Sequence, residues 1–356
     1  MKLIARKKGW IGIDIGTSTV KVAQIVRRND RLHLAARAIV PRPEPWPTQT
    51  IAISEPMSSA SELHAAGSFL GDFRGRAAAA ALSMAFCELH RLDQPPTSGI
   101  GHEQTVREAI EMATQSSSEP WQYDCWSAAS TPAGPSTTNV LTAPITWNDQ
   151  VCEDIAEQGW SCQLIDGLPL ALARAVQLVH PHNSTAPTAA LDLGFAAATF
   201  CSVINGQATY VRSLKNCGFE RLLRSLSEQL DVTPDEAQRL LHKHGLCAEE
   251  SAQPGDTVEL IQELADDFLS DLVEQASRTL AHLKSQRESF VPERVYLLGG
   301  GATVKGLAPH LTRALQTKVQ VWQYGDEDAT NASGSGLPSC LLGSAIALST
   351  LAWERP

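Results

Sequence analysis

Long apolar runs are missing from this chain. No stretch approaches the roughly 18 apolar residues of a membrane-spanning helix; the longest, Ala77 to Phe86, is mostly alanine. A spanning segment is therefore not expected. Sequence blocks of basic residues are missing as well. Lys and Arg number 29 against 39 Asp and Glu, a net charge of −10, so the clustered cations of a nucleic-acid footprint are not found along the sequence. No C-x-x-C pair occurs. The cysteines at 87, 125, 152, 162, 201, 217, 247 and 340 are scattered, most of them in apolar runs, which argues for reduced, buried thiols over a zinc site or a disulfide framework. His242 and His244 lie two apart, a spacing that does not share a helix face, and read as solvent-exposed rather than as a metal pair. P-loop, GxSxG and HExxH motifs are absent, and with them the commonest nucleotide hydrolases, esterases and zinc proteases. The early cations Lys2, Arg6, Lys7 and Lys8 precede an apolar segment that Asp14 interrupts, so a signal peptide is not expected.

What the chain does have is glycine placed after short apolar strands. In Gly9-Trp-Ile-Gly-Ile-Asp-Ile-Gly-Thr-Ser-Thr-Val-Lys21, isoleucines alternate with Gly12, Asp14 and Gly16, the period of a strand. A tight turn at Gly16-Thr17-Ser18 follows, then a β-branched run to Val26. Such a turn offers backbone amides and hydroxyls to phosphate. Asp14 is placed to hold a metal-bound water and Lys21 to meet an anionic oxygen. The pattern returns at Asp192-Leu-Gly194, about half a chain later, as an internal duplication would produce. A third apolar strand, Glu293 to Leu298, runs into Gly299-Gly300-Gly301, where close backbone approach is open to a ligand.

Between these turns the chain reads as alternating elements. Leu32 to Val40 completes a three-strand meander, and four prolines between Pro41 and Pro47 end it. Residues 48–57 read as a loop, and 61–72 as a short helix. Ala77 to Leu92 is ambiguous, since its alanines favour helix and its Leu82, Met84, Phe86 alternation favours strand. Helix is expected over 103–115, strand over 121–130, loop over 131–139, strand over 140–146, and a helix over 148–158 capped by Asn148. A buried strand, Cys162 to Ile165, and a helix, Leu168 to Val179, follow. The polar stretch 180–187 is a candidate domain boundary. Asn205-Gly206 closes a second hairpin. Beyond it stand a helix over 219–230, a second opened by the capping box Thr233-Pro-Asp-Glu236, and an amphipathic helix over 258–286 whose apolar stripe marks core packing. A strand over 318–322, a flexible Gly/Ser-rich segment over 326–338 and an apolar terminal helix over 340–353 close the chain.

Three glycine turns at this spacing resemble the actin/Hsp70/sugar-kinase superfold, and within it the chain resembles the PilM family of type IV pilus assembly. The likeness covers nearly the whole chain. It rests on Gly12-Ile-Asp-Ile-Gly-Thr-Ser-Thr-Val-Lys21, on Gln163 to Arg174, on Gly218 to Leu226 and on Leu342-Gly-Ser-Ala-Ile-Ala347. It implies an α/β, actin-like (ribonuclease H-like) fold, with two lobes of mixed sheet around a nucleotide cleft and two inserted subdomains. The expected parts are 1–74 with 147–186 as first lobe, 75–146 inserted in it, 187–218 with 291–356 as second lobe, and 219–290 above it. By resemblance, ATP or ADP with Mg²⁺ is held by Asp14, Gly16, Thr17, Ser18, Lys21, Asp192, Gly194, Thr199, Gly218, Glu220, Gly299, Gly300 and Gly301, with Asp14 and Asp192 toward the metal. The expected partner is the cytoplasmic tail of a PilN-like bitopic membrane protein, with an assembly ATPase or self-association besides. The expected location is cytoplasmic, peripheral to the inner membrane through such partners, without nucleic acid and without membrane insertion.

The departures from the family pattern are informative. Phe195, Ala196, Ala197 and Ala198 replace the hydroxyls of the second phosphate loop and leave only Thr199. Phe219 and Leu223 replace a glycine and a threonine. Leu168 stands where actin-like ATPases carry the glutamate that orients water, and a leucine cannot do that. Slow or absent hydrolysis is therefore expected, and no catalytic residue is assigned. A sugar- or acetate-type kinase of the same superfold is the main alternative, although no aspartate stands out as its base. FtsA-like and GspL-like proteins are further alternatives; FtsA ends in an amphipathic helix and GspL carries a membrane span, and neither pattern is read here.

Overall fold

A computed structural model of the protein describes residues 7–29, 31–47, 56–70, 72–93, 104, 107–108, 111, 120–127, 137–180, 186–246, 256–325 and 337–354. Most of the expected helix over 103–115 lies outside these residues, as do Cys247 and much of the loops at 48–57, 131–139, 180–187 and 326–338. The chain divides into two compact units, one of residues 1–171, 208–210 and 348–356, the other of residues 172–207 and 211–347.

In the first unit, β1 (Lys7–Lys8), β2 (Ile11–Ile15), β3 (Thr19–Arg28) and β4 (Arg31–Pro41) form the expected meander. β5 (Ala77–Leu82) adds parallel to β2. The later strand Ser161–Gly167, β9, adds parallel to β5. The order across the sheet is β4-β3-β2-β5-β9, with β1 beside the end of β3. A smaller antiparallel sheet comprises β6 (Glu88–Asp93), β7 (Trp121–Ser127) and β8 (Thr137–Pro144), with β8 in the middle.

β5 resolves the ambiguity over the alanine run. Alanine is the best helix former, yet Ala78 to Ala81 are all fully buried in a strand. Ala78 and Ala80 face one apolar layer with Ile11, Ile13, Leu63 and Trp147. Ala79 and Ala81 face another with Ala171, Leu348 and Leu351. A methyl side chain lets layers close on both faces of a central strand, and that burial overrides local propensity. Ser349, at the end of the helix Gly343–Ser349, accepts from the Ile25 amide at 3.0 Å and donates to the Trp10 carbonyl at 2.5 Å. Both backbone groups fall where the pairing along β3 passes from β1 to β2, so this hydroxyl satisfies what the ladder leaves open.

A second sheet repeats the arrangement. β10 (Thr188–Leu193), β11 (Ala198–Ile204), β12 (Gln207–Leu214), β13 (Arg294–Leu298) and β14 (Lys318–Val321) lie in the order β12-β11-β10-β13-β14. β10 pairs antiparallel with β11 and parallel with β13, as β2 does with β3 and β5. The common order and directions are those of a duplicated unit. Asn205 and Gly206 close the β11–β12 hairpin with φ of 50° and 78°, the left-handed pair of a two-residue turn. Helices Phe219–Leu230, Pro234–His244 and Asp256–Gln286 follow. The capping box forms, with Thr233 Oγ1 accepting from the Glu236 amide and Glu236 accepting from the Thr233 amide. On the long helix, Ile261, Phe268, Leu272, Ala276, Leu280 and Leu283 are buried and Leu264 is half-buried, the core stripe expected from their spacing.

Some local expectations are corrected. The helix expected from Asn148 begins at Ile145, with Pro144 before it; Pro144 needs no amide partner there, and the buried Trp147 anchors the first turn. Asn148 instead donates to Gln122 Oε1 at 2.9 Å. The strand Cys162 to Ile165 is not buried: Leu164 is 41% exposed, because β9 ends the order of its sheet. The helix expected over 61–72 runs from Ala60 to Ala65 and widens into a π-turn at Ala66–Leu70. The single terminal helix is three pieces, a 3₁₀ turn at Ser339–Leu341, the helix Gly343–Ser349 and a 3₁₀ turn at Thr350–Trp353.

Candidate functional site

The glycine turns sit at equivalent points of the two units, each between the central strand and its antiparallel neighbour. Asp14 faces Lys21 across β2 and β3, and Asp192 faces Thr199 across β10 and β11. A Cβ placed on Gly16 would stand 2.8 Å from the Thr19 carbonyl oxygen; one on Gly194 would stand 2.8 Å from that of Ala197. Both turns thus fold so tightly at the same point that only glycine fits.

In the first unit the structure brings Asp14, Gly16, Thr17, Ser18 and Lys21 together. Lys21 Nζ lies 3.0 Å from Asp14 Oδ2, and both side chains are largely buried. The two expected ligands therefore neutralise one another in this state. Thr17 is 2% exposed, whereas Ser18 is half-exposed, so Ser18 is the hydroxyl that meets solvent. The turn's carbonyls are all engaged from one side. Gly16 O accepts from Arg42 Nε at 3.1 Å, Thr17 O from the Trp46 amide at 2.7 Å, and Ser18 O from the Arg42 amide at 2.9 Å. The Gly16 amide closes the turn on the Thr19 carbonyl at 3.0 Å, so the amides of Thr17 and Ser18 are the ones such a turn can offer to an anion.

Arg42 and Trp46 do this work, and neither was picked out from the sequence. The proline-rich segment ends regular structure as expected, but two of its side chains, Arg42 and Trp46, turn into the core while its prolines stay exposed. Trp46 is 5% exposed and packs against Phe86 and Trp147, whose rings stack at 4.4 Å. Arg42 lies over the Trp46 ring at 3.4 Å, donates to Ser59 Oγ at 2.9 Å and stands 3.4 Å from Glu62 Oε2. Asp154 extends the cluster by accepting from the Ser59 amide and from Ser58 Oγ. Burial pulls the Arg42 pKa down to about 10, and Glu62 and Asp154 oppose the fall, so the guanidinium stays charged at neutral pH. A tryptophan fenced by prolines was the available signal, since rigid backbone beside a large apolar ring suits a packed segment better than a loop.

In the second unit Asp192, Gly194, Gly218, Gly299 and Gly301 converge. The turn carbonyls are again engaged: Gly194 O accepts from the Phe219 amide at 3.0 Å and Phe195 O from the Glu220 amide at 2.9 Å. These amides open the helix Phe219–Leu230, so the turn caps the helix in place of a side chain. Gly218 passes so near that an added Cβ would stand 2.3 Å from the Ala196 carbonyl oxygen. Gly299 has φ of 81°, and a Cβ there would lie 2.6 Å from Asp192 Oδ1. One on Gly301 would meet the Leu193 side chain at 2.8 Å, whereas Gly300 has nothing within 4 Å. Gly299 and Gly301 are thus required by packing around Asp192, and Gly300 is the open member of the three. Thr199 is 1% exposed, and Glu220 ion-pairs with Arg224 one turn along its helix. In the first unit, Leu168 is buried at 6% exposure. No group of three or more His, Cys, Asp or Glu suited to a metal gathers among the described residues.

The glycine turn also meets a histidine. Thr303 Oγ1 donates to Gly300 O at 2.7 Å and lies 2.9 Å from His242 Nε2; its one proton being committed, Nε2 is the donor to Thr303. Expected as exposed, His242 is half-buried, and burial lowers its pKa from 6.5. Burial lowers those of His180 and His310 too. An unfolded chain then binds more protons than the native one below that value, so stability is full above about pH 6.5 and is lost as pH falls toward the depressed native values. Urea midpoints are expected to drop over this window, and His242→Gln, which keeps a donor for Thr303, to flatten the drop.

No family model matches the chain, and no curated protein matches it by sequence. Solved structures do. A chain from a PilM-PilN type IV pilus biogenesis complex is 19% identical, with a TM-score of 0.75 over 98% of this chain and 99% of that one. The chain has the actin-like fold of PilM. The ethanolamine utilization protein EutJ from Carboxydothermus hydrogenoformans is 14% identical, with a TM-score of 0.52 over 96% of this chain and 89% of that one. The PilM-like fold includes the two equivalent sheets and their glycine turns. Among the described residues, no helix is long and apolar enough to cross a membrane.

Proposed function

We propose that this chain is a nucleotide-binding scaffold of an inner-membrane assembly platform for type IV pili or a related secretion or competence system, and that it docks the cytoplasmic tail of a PilN-like membrane protein. The observation that carries this reading is the likeness over 98% of the chain to a protein solved in a PilM-PilN complex. ATP with Mg²⁺ is the proposed cofactor. The Gly16 and Gly194 turns each hold their carbonyls inward and suit phosphate, and Gly300 leaves open backbone. In this reading Asp14, Ser18, Asp192 and Gly300 meet the nucleotide and its metal, Lys21 exchanges Asp14 for phosphate, and Thr17, Thr199 and Glu220 act through the shape of the backbone around them. Hydrolysis is slow or absent, because Leu168 supplies no carboxylate and the second loop no hydroxyl beyond the buried Thr199.

Calorimetric titration with ATP, with and without Mg²⁺, tests the cofactor. Saturable binding to the wild type, lost in Gly16→Asp, is expected; no binding would leave a scaffold without nucleotide. Robust Mg²⁺-dependent turnover, abolished by Asp192→Ala, would refute the proposed inactivity. Fluorescence anisotropy with the labelled cytoplasmic tail of the PilN-like protein tests the docking, and a tail that fails to bind with or without ATP would overturn it.

A further inference from the structure

The first unit gathers cations that are far apart in sequence at the end of its sheet opposite the Gly16 turn. Register places Lys7 across from Arg27, and Arg28 across from Arg31. Like charges directly opposite in an antiparallel pair oppose folding, and Arg28 and Arg31 are such a pair. Arg74 and Arg76 join them through the buried Gln24, which donates to the Gly9 and Arg74 carbonyls and accepts from the Arg74 amide. Lys8, Arg28, Arg31, Arg74 and Arg76 are exposed.

The carboxylates do not match them. Asp72 pairs with Arg74 and lies in the field of Lys8, and Glu354 follows Trp353 at the same end. Among the described residues no ion pair engages Arg28, Arg31 or Arg76; Asp30, in the turn between Arg28 and Arg31, lies outside them. In a chain of net charge −10, an uncompensated basic surface that costs folding energy calls for an anionic partner.

We propose that this sheet end binds the anionic headgroups of a membrane surface. From β4 to β5 the cations spread across three strand spacings, about 14 Å, a broad front rather than a pocket for one anion. Arg27 lies over the ring of the half-buried Trp353 at 5.0 Å, which places an aromatic side chain among the cations, a pairing that suits a headgroup region. The same contact covers the ring face that a nucleic-acid base would need for stacking. This inference stands apart from nucleotide binding and from the proposed tail docking.

The full chain is to be floated with vesicles of phosphatidylcholine alone and of phosphatidylcholine with phosphatidylglycerol. Association with the anionic vesicles only, weakening as salt rises, is expected. Each cation removed lowers partitioning about fivefold, so Arg31→Glu with Arg76→Glu lowers it at least about 25-fold. Arg31→Glu also turns a like-charge pair into an opposite-charge pair, so the thermal midpoint is expected to hold or rise while vesicle binding falls. That separates loss of binding from loss of fold. Failure to float with anionic vesicles at low salt, equal flotation with neutral ones, or a double variant that binds like the wild type would overturn the proposal. Tight binding of polyglutamate or single-stranded DNA without vesicle binding would overturn it in favour of an acidic polymer.

Discussion

Arg42→Leu is expected to cost about 3–5 kcal/mol of folding stability, the range for breaking a buried charge pair from one side. The Arg42 side chain is 1% exposed and that of Glu62 7%, so removing the cation leaves Glu62 and the neighbouring Asp154 as buried acids without their counter-charge. It also releases the Gly16 carbonyl from Nε and Ser59 Oγ from the guanidinium, and strips the cation from the face of Trp46. Leucine fills part of the volume and none of the polarity. Arg42→Lys keeps the charge but not the planar fork that reaches Gly16, Ser59 and Glu62 together, and is expected to fall between. Urea unfolding monitored by tryptophan fluorescence gives the ordering, since Trp46 and Trp147 report on this core. Faster hydrogen exchange in Arg42→Lys at the amides of residue 42 and Trp46, which donate to Ser18 O and Thr17 O, with most of the stability retained, would identify Arg42 as the brace of the Gly16 turn. An Arg42→Leu protein as stable as the wild type would remove that role.

Gly218→Ala is expected to be nearly as severe, at about 3 kcal/mol, through overpacking against backbone and the loss of two helix-capping hydrogen bonds. The new methyl would stand 2.3 Å from the Ala196 carbonyl oxygen and 2.6 Å from that of Phe195. Neither is the end of a flexible side chain, so the Gly194 turn and the start of the helix Phe219–Leu230 must part. The bonds that join them, Phe219 amide to Gly194 O and Glu220 amide to Phe195 O, go with them. Gly300→Ala is the contrast. Its methyl meets nothing within 4 Å, so thermal unfolding is expected to stay near the wild type. If Gly300 borders the nucleotide, ATP affinity falls while stability does not. Equal melting temperatures for Gly218→Ala and wild type would show that the turn and the helix are not tied as described.

Much of the scaffold was legible in the chain, and for a local reason. Asp14-Ile-Gly16 and Asp192-Leu-Gly194 announce their strands and turns because alternation, a compulsory glycine and a small-residue turn lie within a few positions of one another. The capping box at Thr233 and the apolar stripe of the long helix are equally local, and both formed as read. The misreadings share the opposite property. The alanines of β5 were undecided because their state depends on layers supplied by residues as distant as Leu348. The strand Cys162 to Ile165 looked buried because apolar composition does not tell which strand ends a sheet. That Arg42 and Trp46 turn inward from the segment Pro41 to Pro47 went unread because the rings that bury Trp46 come from Phe86 and Trp147.

The sequence by itself determined that glycine turns follow two duplicated strands, and that apolar residues stand at Leu168 and from Phe195 to Ala198. Those are statements about residue type and spacing, which chain order preserves. Only the tertiary structure decided that Lys21 answers Asp14, that Arg42 braces the Gly16 turn, that Gly299 and Gly301 are required while Gly300 is open, and that Lys8, Arg28, Arg31 and Arg76 share one sheet end in an acidic protein. Charge and burial act through space, and strand pairing brings together residues that composition along the chain keeps apart.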